Sequence, residues 1–426
     1  MGMAFDRYTD FVVASSNYYS AEYWLDRGSL MRQQLQGLVD NIAPSILELK
    51  HTIHEHPELG LQEHETCKLL ESYVHEHVVY KRMHRVGETG LFIEIEGTKP
   101  GKGKTIIIRG DIDALPITEN PKAPFCSKNE GVMHACGHDV HGSCVVGTAR
   151  ILSELRDTFA GSVYIFVQPA EEILAGAKLF LNDAAIDFSK VDGAFALHCS
   201  PEFEAGKIGT KYGGILASSD TLDIVVTGKG GHGAHPNTAI DPIVVASAIV
   251  QGLQTRVSRE TDPADSVVVS LCSIHGGNAF NIIPSEVSLK GTVRTINPKT
   301  RDDVEASVKR IVKATAEAYM AKATVEYTRG VPPMVNSTEW VDRVFRVGEA
   351  LLGKDQVVHL DAPSMGGEDF AFIIEKVGGV FIRLGARTPG GPYGSSHSSG
   401  FYCDDRAIPT ALTVASGLAL DFLRAE

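Results

Sequence analysis

Between residues 213 and 329 the chain reads strand, helix, strand, strand, helix, strand. The strands are "SDTLDIVVTGKG", "SVVVSLCSIHGG", "SEVSLKGTVRTI" and "KATVEYTRG", and the helices are "DPIVVASAIVQGLQTRV" and "TRDDVEASVKRIVKATAEAYM". This is the split βαβ, ferredoxin-like order, and it forms a small unit of its own. On either side the pattern is different. Buried-strand runs such as "GLFIEIEG", "KTIIIRGDIDAL", "GSVYIFVQPAEE" and "VDGAFALHCSP" alternate with helical segments, as in an α/β sheet covered on both faces. The reading is therefore an α/β fold: a larger unit of residues 41–212 and 330–426, an inserted unit at 213–329 and a cleft between them. Residues 1–40 are polar and aromatic without clear periodicity and read as an N-terminal extension. The pattern from Ile42 to about Val79 suits helices, with "HPELGLQEHET" as a turn, and residues 139–155 read as a helix with Asp139 as N-cap.

A chain of 426 residues suits two domains better than one core. Its 43% hydrophobic and 22% charged residues are those of a globular protein. A net charge of −13 with no basic stripe argues against nucleic acid and acidic membranes as partners. No apolar run has the length of a membrane span, and the N-terminus lacks a secretory pattern. Seven scattered cysteines suit a reducing compartment, so a cytoplasmic location is expected.

The chemistry concentrates at strand ends, where α/β sheets place ligands. "GVMHACGHDVHG" packs His134, Cys136, His138 and His141 into eight positions. Asp111 and Asp113 stand two apart, on one face if the strand continues that far. Glu171 and Glu172 follow a strand, as does His198, and His397 lies in a glycine/serine loop. Each alone has a plainer reading: a turn, a solvated helix start, a core histidine, a buried thiol. Together they offer metal ligands from several separate strand ends. Amide hydrolysis would use such a set, because paired metals polarise a carbonyl and activate water while a carboxylate moves the proton. In an extended segment Glu171 and Glu172 would face opposite ways, one to metal and one to water. The run "HEHPE" (54–58) reads as a helix-end cap. Glu368 and Asp369 either line the cleft or cap the helix "FAFIIEKV", with the cap preferred.

The motifs "HEHPELGLQEHET", "RGDIDALP", "MHACGHDVH", "QPAEE", "LHCSP", "GKGGHGAHP", "GGNAFNIIP", "GTVRT" and "GGEDFAF", in that order, resemble the dinuclear-metal aminoacylase/carboxypeptidase family. The nearer likeness is to its amidohydrolase branch of auxin-conjugate hydrolases, hippurate hydrolases and N-acyl-amino-acid deacylases. The resemblance runs from about Ile42 to the C-terminus. It implies a metallopeptidase-like catalytic domain with a central mixed sheet, plus a lid/dimerisation domain. It implies two divalent ions, zinc or manganese first and cobalt or nickel as options, with Cys136 bridging, Glu172 and His397 on one ion, and His138 and His198 on the other. Glu171 matches the general base and Asp113 a carboxylate that holds a ligand in place. The usual metal histidine two residues before Asp113 is replaced by Asp111, whose role stays open. His232 matches a histidine brought to the oxyanion, often from a partner subunit, and Asn281 and Arg294 match groups that hold a substrate α-carboxylate. The implied reaction is hydrolysis of N-acyl amino acids by a homodimer or higher homo-oligomer. A dipeptidase or carboxypeptidase, or an N-acetyl-diaminopimelate deacetylase, is the alternative with the same chemistry. An inactive binding scaffold and a redox sensor built on Cys136 are alternatives of other classes. His134, His141 and His235 carry no assigned role beyond packing or support.

Overall fold

The computed structural model describes residues 21–120 and 124–425. Two helices open it, α1 (Ala21–Glu55) and α2 (His64–His77). Five strands of the main sheet and two helices that cover them follow: β1 (Arg82–Val86), β2 (Gly90–Glu96), β3 (Lys104–Asp111), α3 (His138–Glu154), β4 (Gly161–Gln168), α4 (Gly176–Leu181) and β5 (Gly193–Glu204). Next come β6 (Ile208–Thr210) and β7 (Gly213–Leu216). The second unit comprises β8 (Asp220–Thr227), β9 (Gly231–His232), α5 (Pro242–Glu260), β10 (Val267–His275), β11 (Ile282–Ile283), β12 (Glu286–Thr295), α6 (Pro298–Ala318) and β13 (Lys322–Thr328). The chain then returns through β14 (Met334–Asn336), α7 (Thr338–Leu352), β15 (Val357–His359), α8 (Ala371–Val377), β16 (Gly379–Arg387) and α9 (Ala407–Arg424).

The main sheet has eight strands in the order β1-β2-β4-β3-β5-β16-β6-β15. Its centre, β4-β3-β5-β16, is parallel, whereas β1, β2 and the β16–β6 pair are antiparallel, so the sheet is mixed. The central strands are apolar on both faces because helices cover both: α1, α3, α7 and α9 on one side, α4 and α8 on the other. Residues 220–328 form the second sheet, β10-β12-β8-β13, fully antiparallel, with α5 and α6 packed on it over a separate core that includes Leu222, Ile249, Val293 and Val308. The strand–helix order read from the sequence thus builds a four-stranded antiparallel sheet. The chain enters and leaves this unit at one place, since β7 pairs antiparallel with β14.

Several expectations change. Of the extension at 1–40, residues 1–20 lie outside the described residues, but 21–40 belong to α1, which runs unbroken into the main body. Leu35 and Val39 are fully buried in the main core, so the apolar spacing of this stretch is helical after all. Asp139 does not cap α3. Gly137, in the left-handed region at φ 92°, starts the helix one residue earlier, and the Asp139 carboxylate turns to His54 at 2.8 Å. The "HEHPE" run does supply a cap, through Glu58, which accepts the Glu65 and Thr66 amides in the first turn of α2. Finally, α9 has the length and mean hydropathy (1.2) of a membrane span although the sequence shows no unbroken apolar run. It is 78% buried within the protein and serves as a core helix between α1, α3 and α7.

Candidate metal centre

The C-terminal ends of the parallel strands converge on α3. β3 ends at Asp111, and Asp113 lies just beyond it, so the two aspartates do not share a strand face. Both are buried, on either side of the His138 ring. Asp113 Oδ1 is 3.1 Å from His138 Nδ1, and Asp113 Oδ2 accepts the Glu172 backbone amide at 2.8 Å. One carboxylate therefore orients the imidazole and pins the glutamate turn. With Nδ1 as donor to Asp113, His138 Nε2 is left bare, fully buried and without a hydrogen-bond partner.

β4 stops at Gln168, before Pro169, and the next residues are not extended. Ala170 (φ 56°) and Leu174 (φ 55°) are both left-handed and bracket the glutamate pair in a tight turn. The two glutamates therefore do not face opposite ways as strand alternation would have them: the turn brings an oxygen of each to about 4 Å from His138 Nε2. Glu172 Oε1 lies 3.3 Å from His397 Nε2 and 3.8 Å from His138 Nε2, yet makes no hydrogen bond. Glu171 is buried, 4.0 Å from His138 Nε2. Its burial, together with the charges of Glu368 and Asp369, raises its pKa well above the usual carboxylate range.

β5 contributes His198. Its Nδ1 faces the Cys199 carbonyl oxygen at 2.8 Å, which turns Nε2 toward the Cys136 sulfur at 3.6 Å. Cys136 precedes α3 and is buried. His397 comes from the loop after β16, held in the left-handed region (φ 58°) with its amide on the Ala135 carbonyl at 2.8 Å. The donor atoms of Cys136, Glu172 and His397 lie within 4.8 Å of one another, as do those of His138, Glu171 and Glu172, and those of Asp111, His138, His141 and His198. The sequence-predicted ligands are thus brought together from four separate segments. A thiolate, imidazoles and carboxylates at this spacing suit divalent transition ions, and the bare His138 Nε2 and Glu172 Oε1 are the kind of orphaned buried atoms that such ions satisfy.

His232, Asn281 and Arg294 are elsewhere. His232 sits on β9, paired with Ile282, and the Gly233 amide bonds the Asn281 carbonyl at 2.8 Å, so His232 and Asn281 share one exposed ribbon of the second unit. His232 Nδ1 accepts the Ala234 amide, which leaves its Nε2–H pointing outward. Arg294 lies on β12 and donates to Thr292 and to the Val293 carbonyl. Among the described residues none of the three bonds to the metal-ligating cluster.

The sequence reading gave Arg109 no role at the site. Wholly buried, it pairs with Asp111, with Glu368 at 2.7 Å and with Asp369 at 3.2 Å. The signal was present: a guanidinium inside the apolar run "TIIIRGD" requires buried carboxylates. Glu368 accepts the Phe370 amide at the start of α8 (3.0 Å), as the cap reading expects, and in addition takes Arg109 inside the protein. A second buried cluster joins Lys50 and His54 of α1 to Asp139, Glu119 and Asp405, and no local motif announces it.

Comparison with known proteins agrees with this geometry. Residues 107–421 match the model of peptidase family M20/M25/M40. The chain is 38% identical over 383 residues to the IAA-amino acid hydrolase ILR1-like 2 of Arabidopsis thaliana, covering 89% of this chain and 85% of that protein. It is 37% identical to the N-acetylcysteine deacetylase of Bacillus subtilis, over 88% of this chain and 96% of that one. The crystal structure of a dinuclear metal binding peptidase of the M20 family from Bacillus subtilis superposes with a TM-score of 0.79 at 33% identity, over 91% of this chain and 100% of that one.

Proposed function

The chain belongs to peptidase family M20/M25/M40, and from that premise we propose that it is a metal-dependent amidohydrolase that splits N-acyl amino acids into a carboxylic acid and a free amino acid. One observation carries the reading: a buried glutamate with a raised pKa stands at the edge of a cluster of bare metal donors. Cys136 would be shared by two divalent ions, Glu172 and His397 completing one site and His138 and His198 the other. Such ions supply charge to polarise an amide carbonyl and to acidify water. The donor set favours zinc or manganese, with cobalt and nickel compatible.

Within that frame Glu171 takes the proton from water and returns it to the leaving amine. Burial beside Glu368 and Asp369 makes this carboxylate a stronger base than an exposed glutamate, and one carboxyl group can serve both halves of the task. Asp113 keeps His138 and the Glu172 turn in register. His232 would offer its outward Nε2–H to the oxyanion, and Asn281 and Arg294 would hold the substrate carboxylate, Arg through its two-pronged fork. In the described chain these three stand apart from the cluster, so the reading includes a homodimer or higher homo-oligomer. Ile274, Phe280 and Ile282, all exposed on the unit that carries His232, support such an assembly. A cytoplasmic setting belongs to the same proposal, supported by seven cysteines outside any disulfide.

The test is hydrolysis of an N-acyl-amino-acid panel by the protein reconstituted in turn with Zn²⁺, Mn²⁺, Co²⁺ and Ni²⁺. Turnover with at least one ion and acyl amino acid is expected. A folded, metal-loaded protein that releases no amino acid from any member would overturn the proposal. The trans role of His232 is read separately, by mixing inactive His232→Ala with inactive Glu171→Gln: partial recovery of turnover is expected if a partner supplies the histidine.

A further inference from the structure

His141 belongs to the dense "MHACGHDVH" motif, is 3% exposed, and has a ring nitrogen within 4.8 Å of donor atoms of Asp111, His138 and His198. By proximity alone it would be counted a fifth histidine or cysteine ligand. Its hydrogen bonds exclude that. The Cys199 amide nitrogen lies 2.7 Å from His141 Nε2, and a backbone N–H can only donate, so Nε2 presents its lone pair to Cys199. Nδ1 then carries the proton and directs it at Asp111 Oδ1, 2.5 Å away. The other tautomer, or the doubly protonated ring, would aim one N–H at another. Neither ring nitrogen has a lone pair left for a metal. Asp111 is equally engaged, its second oxygen being taken by Arg109.

We infer that His141 is a positioning residue: it anchors the Cys199 backbone and thereby sets the His198 imidazole against Cys136. The chain of support is continuous. Arg109 holds Asp111, Asp111 holds His141, and His141 holds Cys199 by its amide. The carbonyl of that same residue takes His198 Nδ1 at 2.8 Å and leaves Nε2 facing the sulfur at 3.6 Å. The His141 ring also packs against the other two, with centroids 4.6 Å from His198 and 5.3 Å from His138. This assigns Asp111 as well: held by Arg109, it orients the His141 ring. The inference rests on the two-ion reading of the site, but its readout is metal binding rather than catalysis.

The experiment is titration of the metal-free protein with Co²⁺, followed by its visible spectrum and by calorimetry, in the parent, His141→Gln, His141→Asn, His141→Ala and His198→Ala. A glutamine can accept from Cys199 with its oxygen and donate to Asp111 with its nitrogen, so His141→Gln keeps two Co²⁺ ions. Asparagine is too short to reach both partners, and alanine reaches neither. In these two variants one of the two Co²⁺ ions is expected to bind about 10- to 100-fold more weakly, as when a group supporting a ligand is removed, while the other is held as in the parent. Should His141→Ala fail to fold, the Gln and Asn pair decides. The inference is overturned if His141→Gln loses Co²⁺ as fully as His198→Ala, which would make His141 a ligand. It is equally overturned if folded His141→Asn binds both ions as the parent does, even with a lowered melting temperature, which would make its role purely structural. A parent that binds Co²⁺ as described yet cleaves no N-acyl amino acid would instead count against the proposed function and leave the positioning role standing.

Discussion

Glu171 and Glu172 are neighbours in sequence but not in environment, and the left-handed Ala170 and Leu174 are the reason. Glu171 faces the carboxylates gathered by Arg109, whereas Glu172 faces His397. Glu171→Gln should therefore retain both metal ions, measured by elemental analysis, and lose turnover by about 10²- to 10⁴-fold, the usual worth of a general base. Cys136→Ser should behave differently, losing metal content together with rate, because the sulfur lies between the donor sets of both halves. At this scale the sequence was most legible where a motif is short and every member has its own chemistry, as in "MHACGHDVH" and "QPAEE". It was least legible where a residue matters through a partner far along the chain. Arg109 and Glu368 are 259 positions apart, and His54 and Asp139 are 85 apart. The apolar run around Arg109 announces that buried carboxylates must exist, but nothing local says which residues they are.

Elements were read well where a period of two or 3.6 ran unbroken and poorly at their ends. The second unit could be read strand by strand because inward and outward residues alternate, as β8 shows with a buried residue at every second position. The boundary drawn at residue 40 failed because α1 has weak patterning through its first turns and earns its place by packing Leu35 and Val39 rather than by propensity. The start of α3 failed because glycine, not aspartate, makes the turn into the helix. A test follows at Gly137. Its φ of 92° disfavours any side chain, and an added Cβ would come within 2.7 Å of Cys199 Cβ. Gly137→Ala should cost about 1–3 kcal/mol in a chemical denaturation series. It should also weaken metal binding, because it presses on the residue beside His198.

Across the whole molecule, buried charge ties distant parts together. His54 of α1 bonds Asp139 of α3 and Glu119 of the loop after β3, and Lys50 reaches Asp405 before α9. Burial and the nearby Lys50 oppose charge on the His54 ring, but Asp139 and Glu119 outweigh them and lift its pKa from 6.5 to about 9. A raised pKa in the folded state means that the ring's contribution is complete below pH 6.5 and disappears as pH climbs to about 9. Melting temperature should fall across that window in the parent, on a scale set by at most roughly 3 kcal/mol, and His54→Asn should flatten the fall. A parent whose melting temperature is level from pH 6.5 to 9 would refute the charged assignment. The paired strands β7 and β14 carry a different kind of consequence. Because departure and return of the chain are hydrogen-bonded to each other, everything between them hangs from a single clasp, and the metal-binding sheet is complete without it. Such an architecture lets two parts of one gene drift at separate speeds. The clasped unit can be lengthened or reshaped at its far loops without disturbing the loops at the ends of β3, β4, β5 and β16.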